Sequence, residues 1–189
     1  MAGQRISSRF FERSPVDCAR ELIGRRFDWR GCAGRIVETE AYAAVGDAAC
    51  HTFFRPSARA FVAEHPAGTA YVYLNYGVHW MFNILTRGPE GPGFVLFRAL
   101  EPLVGVDQMG VRRKTEVPEK LCSGPGKLTQ ALGIGGNDHG RGFLARRDCG
   151  IRGRMAVAVA AGARIGISRA RQLPWRFALA GSAHLSRQI

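Results

Sequence analysis

Two glutamates close the apolar run RIVETEAY (Arg35 to Tyr42), in a chain whose formal net charge is +12. Side chains two apart on a strand share a face, so Glu38, Glu40 and Tyr42 are expected to line one side together. Two carboxylates that close raise each other's proton affinity, and partial burial adds to the effect. One of them then becomes a proton acceptor near neutral pH. The plainer alternative is a salt bridge between one glutamate and one of the many arginines at a strand end. His51 follows in the segment AACHTF, and an aromatic cluster, YVYLNYGVHWMFN (Tyr71 to Asn83), comes next.

Tyr71 and Trp80 in that cluster suit half-buried packing on paired strands. Tyr76 does not, because a bulky ring between Asn75 and Gly77 sits on a turn with little core to enter. A wedge pushed between stacked bases is the better physical use for it. His65 and His79 read as surface or packing histidines.

These residues need elements to hold them. Ser14-Pro15, followed by Val16, Ala19, Leu22, Ile23 and then Gly24, has the cap, stripe and stop of a short helix. Arg26 to Trp29 and Gly34 to Glu40 read as a strand pair around a Gly-Cys turn. Ala43 to Ala67 is weakly patterned, with Ser57 to Glu64 as its one helical piece. Tyr71 to Leu74 and Val78 to Leu85 read as a hairpin with Asn75-Tyr76-Gly77 at its tip. Gly93 to Ala99 is a further strand, Leu103 to Arg113 and Ser123 to Leu132 are helical, and Met155 to Ala160 and Arg164 to Ile167 return to strand. The fold class is therefore α+β: one domain over residues 1–189, with a mixed, mostly antiparallel curved sheet, surrounding helices and a protruding β-hairpin.

With 189 residues, 46% of them hydrophobic, the chain suits one core. Its charge is uneven. Residues 111–189 carry 15 Lys and Arg against 4 Asp and Glu, while residues 1–110 carry 12 against 11. That imbalance fits a polyanionic partner, nucleic acid first among them. Arg makes up 24 of the 27 basic residues, which suits phosphate binding, although an arginine-rich genome gives the same bias. The five cysteines stand singly and no histidine has zinc-finger spacing, so neither a disulfide framework nor a metal site is implied. No signal peptide and no run of about 18 apolar residues is present, and a cytoplasmic protein with no membrane partner is expected.

Five blocks in order resemble the alkyladenine (3-methyladenine) DNA glycosylase family. They are I-V-E-T-E-A-Y at Ile36 to Tyr42, His51, Y-V-Y-x-x-Y-G-x-H-W-x-x-N at Tyr71 to Asn83, V-L-x-R-A-L-E-P at Val95 to Pro102, and L-C-S-G-P-x-K-L at Leu121 to Leu128. The resemblance implies a base-excision repair enzyme that flips an alkylated or deaminated purine out of duplex DNA. It would hydrolyse the N-glycosidic bond and leave an abasic site, with no cofactor and no metal. It further implies that Glu40 activates the water and that Arg98 stands near that water and the target phosphate. Tyr42, His51 and Tyr73 would enclose the base, and Asn83 would crowd the amino group of guanine. Tyr76 would intercalate, and Lys127 would touch the DNA backbone. Asn75 beside the wedge and the loose segment SARAFVAEHPAG (Ser57 to Gly68) depart from the family pattern.

The chemistry agrees. Breaking a glycosidic bond builds an oxocarbenium-like sugar, which an ionised carboxylate stabilises while it takes the proton of the attacking water. A cationic alkylpurine leaves readily, so Glu38 is free for a structural role. No lysine stands in a recognised nucleophile position, so hydrolysis without a Schiff base is expected, by a chain acting as a monomer. Two rival classes remain: a catalytically inactive nucleic-acid binding module on the same scaffold, and a hydrolase of free nucleosides, against which the basic tail argues.

Overall fold

The computed structural model describes residues 3–153 and 155–189. Ser14 opens α1 (Pro15–Leu22), its side chain accepting a hydrogen bond from the Asp17 amide at 3.1 Å, and the buried stripe Cys18, Ala19 and Leu22 faces the sheet. β1 (Arg26–Trp29) and β2 (Cys32–Ala43) pair antiparallel, as expected. Their turn is Arg30-Gly31, one residue earlier than the Gly-Cys turn, with both residues at positive φ. The remaining elements are α2 (His51–Phe54), α3 (Pro56–Glu64), β3 (Ala70–Asn75), β4 (His79–Gly88), β5 (Gly91–Val104), α4 (Val106–Arg113), α5 (Pro118–Leu121), α6 (Pro125–Leu132), β6 (Cys149–Arg152), β7 (Val159–Gly162) and β8 (Arg176–Leu179).

The strands form one open sheet in the order β3-β4-β5-β2-β1-β6, with every pairing between named strands antiparallel. β2 is the hub. Along one edge it pairs with β5 for its whole length. Along the other it pairs with β1 at residues 32–35 and then with β8 at Glu38 to Glu40, β7 lying beyond β8. The register between β2 and β5 slips between Ile36 and Thr39, at the partner change. A slip of this kind re-aims side chains. Glu38 lies opposite Ala99 and Thr39 opposite Phe97, which leaves Arg98 with no partner in the register.

Alternation across the strands sorts two faces. Ala70, Val72, Phe82, Ile84, Val95 and Phe97 enter the main core. There Phe27, Trp29, Phe82, Phe97 and Phe143 pack ring to ring, with centroids 5.1 Å apart for Phe27 and Phe97 and 5.4 Å apart for Phe82 and Phe97. α1 and α6 cover this face, and Thr39 donates to the Ala19 carbonyl of α1 at 2.8 Å. Tyr71, Tyr73, Met81, Asn83, Phe94, Leu96 and Arg98 emerge on the other face. All five cysteines are buried and free.

The structure corrects several boundaries. Leu103 and Val104 extend β5, and α4 starts only after Gly105, whose φ of +72° breaks the strand. Ser123 pairs with Ala99 in an isolated bridge and α6 begins at Pro125. Of the expected strand Met155 to Ala160, only Val159 and Ala160 are strand. Arg164 to Ile167 is irregular, because its polar groups go to the site described next rather than to a ladder. β8 and the one-turn α2 carry no sequence signal that separates them from loop.

Candidate active site

β2, β3, β4 and β5 deliver one face each to a cavity of about 600 Å³, within the range of small-molecule sites. Its walls are aromatic. Tyr71 stacks on Phe94 with centroids 4.5 Å apart, and the rings of His51 and Tyr73 lie 4.4 Å apart. His51, at the start of α2, meets the Tyr71 hydroxyl through Nδ1 at 3.0 Å. Burial, and then the Arg55 cation, hold the His51 pKa down at about 4. Burial likewise pushes Tyr71 and Tyr73 up to about 12. At neutral pH a neutral imidazole therefore meets protonated phenols, a wall for a flat, uncharged or cationic ring. Asn83 is buried on β4, donates through Nδ2 to the Tyr71 carbonyl at 3.2 Å, and lines the same space.

Glu40 stands behind this wall with no exposed surface. Its Oε2 accepts from the Tyr42 hydroxyl at 2.7 Å. Its Oε1 accepts from the Ile165 amide at 2.7 Å and lies 3.3 Å from Arg98 Nη1. Tyr42, Ile165 and Arg98 also line the cavity, so the groups that hold the carboxylate form the surface in front of it. A carboxylate has about four acceptor positions, and two hydrogen bonds and one ionic contact do not fill them. Burial, then the neighbouring Glu40 carboxylate, raise the Tyr42 pKa well above that of a free phenol, and Tyr42 stays a donor.

Glu38 shares Arg98 with Glu40, but its other partners lie outside the cavity lining. Arg98 Nε donates to its Oε1 at 3.0 Å and Arg176 Nε at 2.7 Å, while Ser186 donates to it from both its amide (2.6 Å) and its hydroxyl (2.7 Å). Glu38 thus accepts four hydrogen bonds, three of them on Oε1, and is fully buried. The open like-charge contact expected of the pair is filled by a cation. Burial opposes the charge on Arg98, but Glu40 and Glu38 outweigh it and keep the guanidinium firmly protonated.

At the mouth stands Tyr76, 87% exposed, in a tight turn where Tyr76 and Gly77 have φ of +52° and +69° and the Val78 amide returns to the Asn75 carbonyl. Pro125, the first residue of α6, also lines the cavity, and Lys127 two residues further on is exposed, reaching Ser123 Oγ at 3.5 Å. His79 packs on Gly126, where a Cβ would lie 2.8 Å from its ring, and His65 stacks on Phe61 at 4.2 Å, both packing roles as expected.

The sequence singled out Glu40, Arg98, Tyr42, His51, Tyr73, Asn83, Tyr76 and Lys127; the structure lines one cavity with Arg98, Tyr42, His51, Tyr73, Asn83 and Tyr76, sets Glu40 behind them against Arg98, and leaves Lys127 outside the lining, two residues from Pro125. Sequence reasoning missed Ile165, the Asp47–Arg164 pair behind it, and the rim residues Phe54, Arg55 and Arg169. Asp47 sits in the stretch read as patternless, and Arg164 in a run read as strand. Among the described residues, no cluster of three or more His, Cys, Asp or Glu could hold a metal ion, and no helix is long and apolar enough to cross a membrane.

An aromatic-walled cavity backed by a buried carboxylate, beneath an exposed turn tyrosine on a basic protein, has the shape and chemistry to hold a flat ring beside a carboxylate. The comparisons make this specific. Residues 9–183 match the family model described as methylpurine-DNA glycosylase (MPG). A protein of Agrobacterium fabrum, provisionally named 3-methyladenine DNA glycosylase, is 45% identical over 97% of this chain and 93% of its own. Proteins with the same provisional name from Nitrosospira multiformis and Rhodopseudomonas palustris are 47% identical over 94% and 91%, and 43% identical over 98% and 89%, of the two chains respectively. The chain belongs to the methylpurine-DNA glycosylase family. It is a DNA repair glycosylase of alkylated purines, and DNA is its substrate.

Proposed function

We propose that the protein, as a single domain over residues 1–189 and as a monomer in the cytoplasm, flips an alkylated or deaminated purine nucleotide from duplex DNA. It then hydrolyses the N-glycosidic bond with one water activated by Glu40, leaving an abasic site. The observation that carries this is the fixation of Glu40 by Tyr42, Ile165 and Arg98, which themselves wall the aromatic cavity. The carboxylate keeps one acceptor position for the water, and its charge stabilises the oxocarbenium-like sugar. Arg98 holds it from the cavity side, and in this reading it also meets the target nucleotide's phosphate.

The base enters between Tyr42, His51 and Tyr73, which enclose it through stacking and ring edges. Asn83 crowds an exocyclic amino group and so disfavours normal guanine. Tyr76 fills the gap left in the duplex, a step that costs a few kcal/mol and least at a poorly paired base. Lys127 meets the backbone. No lysine lines the cavity, which supports simple hydrolysis without a Schiff base or strand cleavage, and no cofactor or metal is needed.

Single-turnover base release from a duplex carrying 3-methyladenine, hypoxanthine or ethenoadenine tests this, with hot alkali revealing the abasic sites. Release that is lost in Glu40→Gln while duplex binding is kept supports the proposal. Strand cleavage without alkali contradicts the monofunctional part of it.

A further inference from the structure

We infer that the buried Asp47–Arg164 ion pair is the positioning element of the site, setting the place of the base Glu40 through the Ile165 amide and the Tyr42 ring. The inference rests on Glu40 acting as the base. Both side chains of the pair are fully buried. The contact is bidentate: Arg164 Nη1 donates to Asp47 Oδ2 at 2.6 Å and Nη2 to Oδ1 at 2.8 Å.

The fork does more than neutralise Asp47. Nη1 also donates to the Ala41 carbonyl on β2 at 2.9 Å, and Nη2 to the Ala170 carbonyl at 3.2 Å. One guanidinium thereby ties three pieces of backbone together: the strand that carries Glu40, the loop after it that carries Asp47, and both ends of the segment from Arg164 to Ala170. Ala170 closes that segment at a φ of +47°, a conformation held against its own preference. The guanidinium carbon lies 4.7 Å from the Tyr42 ring centroid and 5.4 Å from that of Trp175, so the phenol that donates to Glu40 is backed by the same cation.

The consequence falls on the next residue. With Arg164 clamped, the Ile165 amide points at Glu40 Oε1 across 2.7 Å. Two of the three contacts on the carboxylate, from Ile165 and Tyr42, thus trace back to one ion pair, and the third comes from Arg98. A buried pair is weak evidence for stability, since apolar residues of like volume often serve as well. Geometry that places a reacting group is the stronger reason for a fork with four acceptors. Lysine keeps the charge but cannot supply that fork.

The experiment uses Arg164→Lys and Asp47→Asn in the full chain, with a duplex carrying one hypoxanthine. Each variant that melts cooperatively and binds the duplex within about threefold of wild type is expected to lose about 100-fold in single-turnover base release. In a Glu40→Gln background the same substitutions are expected to cost nothing further, because the group they position is gone. Full release by the folded variants, or an undiminished loss in the Glu40→Gln background, overturns the inference. Full release by Glu40→Gln alone instead overturns the reading of Glu40 as the base, so the two failures are distinct. A measurement on the wild type covers variants that do not fold: amide hydrogen exchange at Ile165 is expected to be as slow as in β5 and much slower than at Gly166 and Ser168. Exchange at open-loop rates at Ile165 also overturns the inference.

Discussion

Glu38 and Glu40 are joined through one guanidinium, Arg98 donating through Nε to Glu38 at 3.0 Å and standing 3.3 Å from Glu40 through Nη1. The strand period puts both carboxylates beside Arg98, and the register slip opposite them frees Arg98 to reach both. Their surroundings differ. Glu38 accepts four hydrogen bonds, from two arginines and from Ser186, while Glu40 accepts two and one ionic contact, all from residues that line the cavity.

Glu38→Ala is expected to destabilise the protein by about 3–5 kcal/mol, because it strands the buried cation Arg176, leaves Arg98 with Glu40 alone and releases the tail at Ser186. Urea unfolding followed by tryptophan fluorescence measures this. A loss below about 1 kcal/mol, typical of an exposed ion pair, would mean that Glu38 does not hold this node.

Tyr76→Gly is expected to be neutral or stabilising by up to about 1 kcal/mol, since Tyr76 has a φ of +52° and makes little contact with the fold. Base release from the same variant is expected to fall, because the extruded nucleotide loses the ring that fills its gap. A thermal melt read beside a release assay separates the two effects. Unchanged release would show that the wedge is dispensable.

Cations at the mouth are expected to set the salt dependence of DNA binding. Arg55 lies over the Tyr73 ring at 5.4 Å and Arg169 over Phe53 at 5.9 Å, both lining the cavity, and Lys127 is exposed nearby. Each alanine substitution at these positions is expected to flatten the plot of log affinity against log salt by about 0.9 where one phosphate contact is lost. Fluorescence anisotropy across a salt series reads the slopes, and a slope unchanged in all three variants would put the DNA on another face.

His51 gives the pH dependence a sign. Its pKa falls from the usual 6.5 to about 4 in the folded state, through burial and then Arg55. The unfolded chain therefore binds a proton that the native one refuses, and the stability concerned is whole above pH 6.5 and drains away as pH falls to about 4. His51→Gln is expected to flatten unfolding free energy against pH in that window by on the order of 2 kcal/mol, partial exposure allowed for. An identical slope in variant and wild type would contradict this.

What the sequence made legible was local. Ser14 and Pro15 mark α1, alternation marks β1 to β5, and a tyrosine between Asn75 and Gly77 is a turn whatever surrounds it. The E-x-E spacing placed Glu40 and Tyr42 on one face, but it did not separate the roles of the two glutamates, because those depend on Arg176 and Ser186 from the far end of the chain. The run from Arg164 to Ile167 read as a strand. Its shape is set instead by Asp47 and Glu40, contacts that no local pattern encodes.

The most direct measurement is single-turnover base release from a hypoxanthine-containing duplex by wild type and Glu40→Gln, at saturating protein and with duplex affinity measured alongside. Loss of a general base predicts a fall of about 100-fold or more in Glu40→Gln with affinity preserved, and abasic sites appearing only with active protein. Equal release by both proteins would contradict Glu40 as the base, and tight binding with no release of any lesion by either would leave a DNA-binding protein without this chemistry.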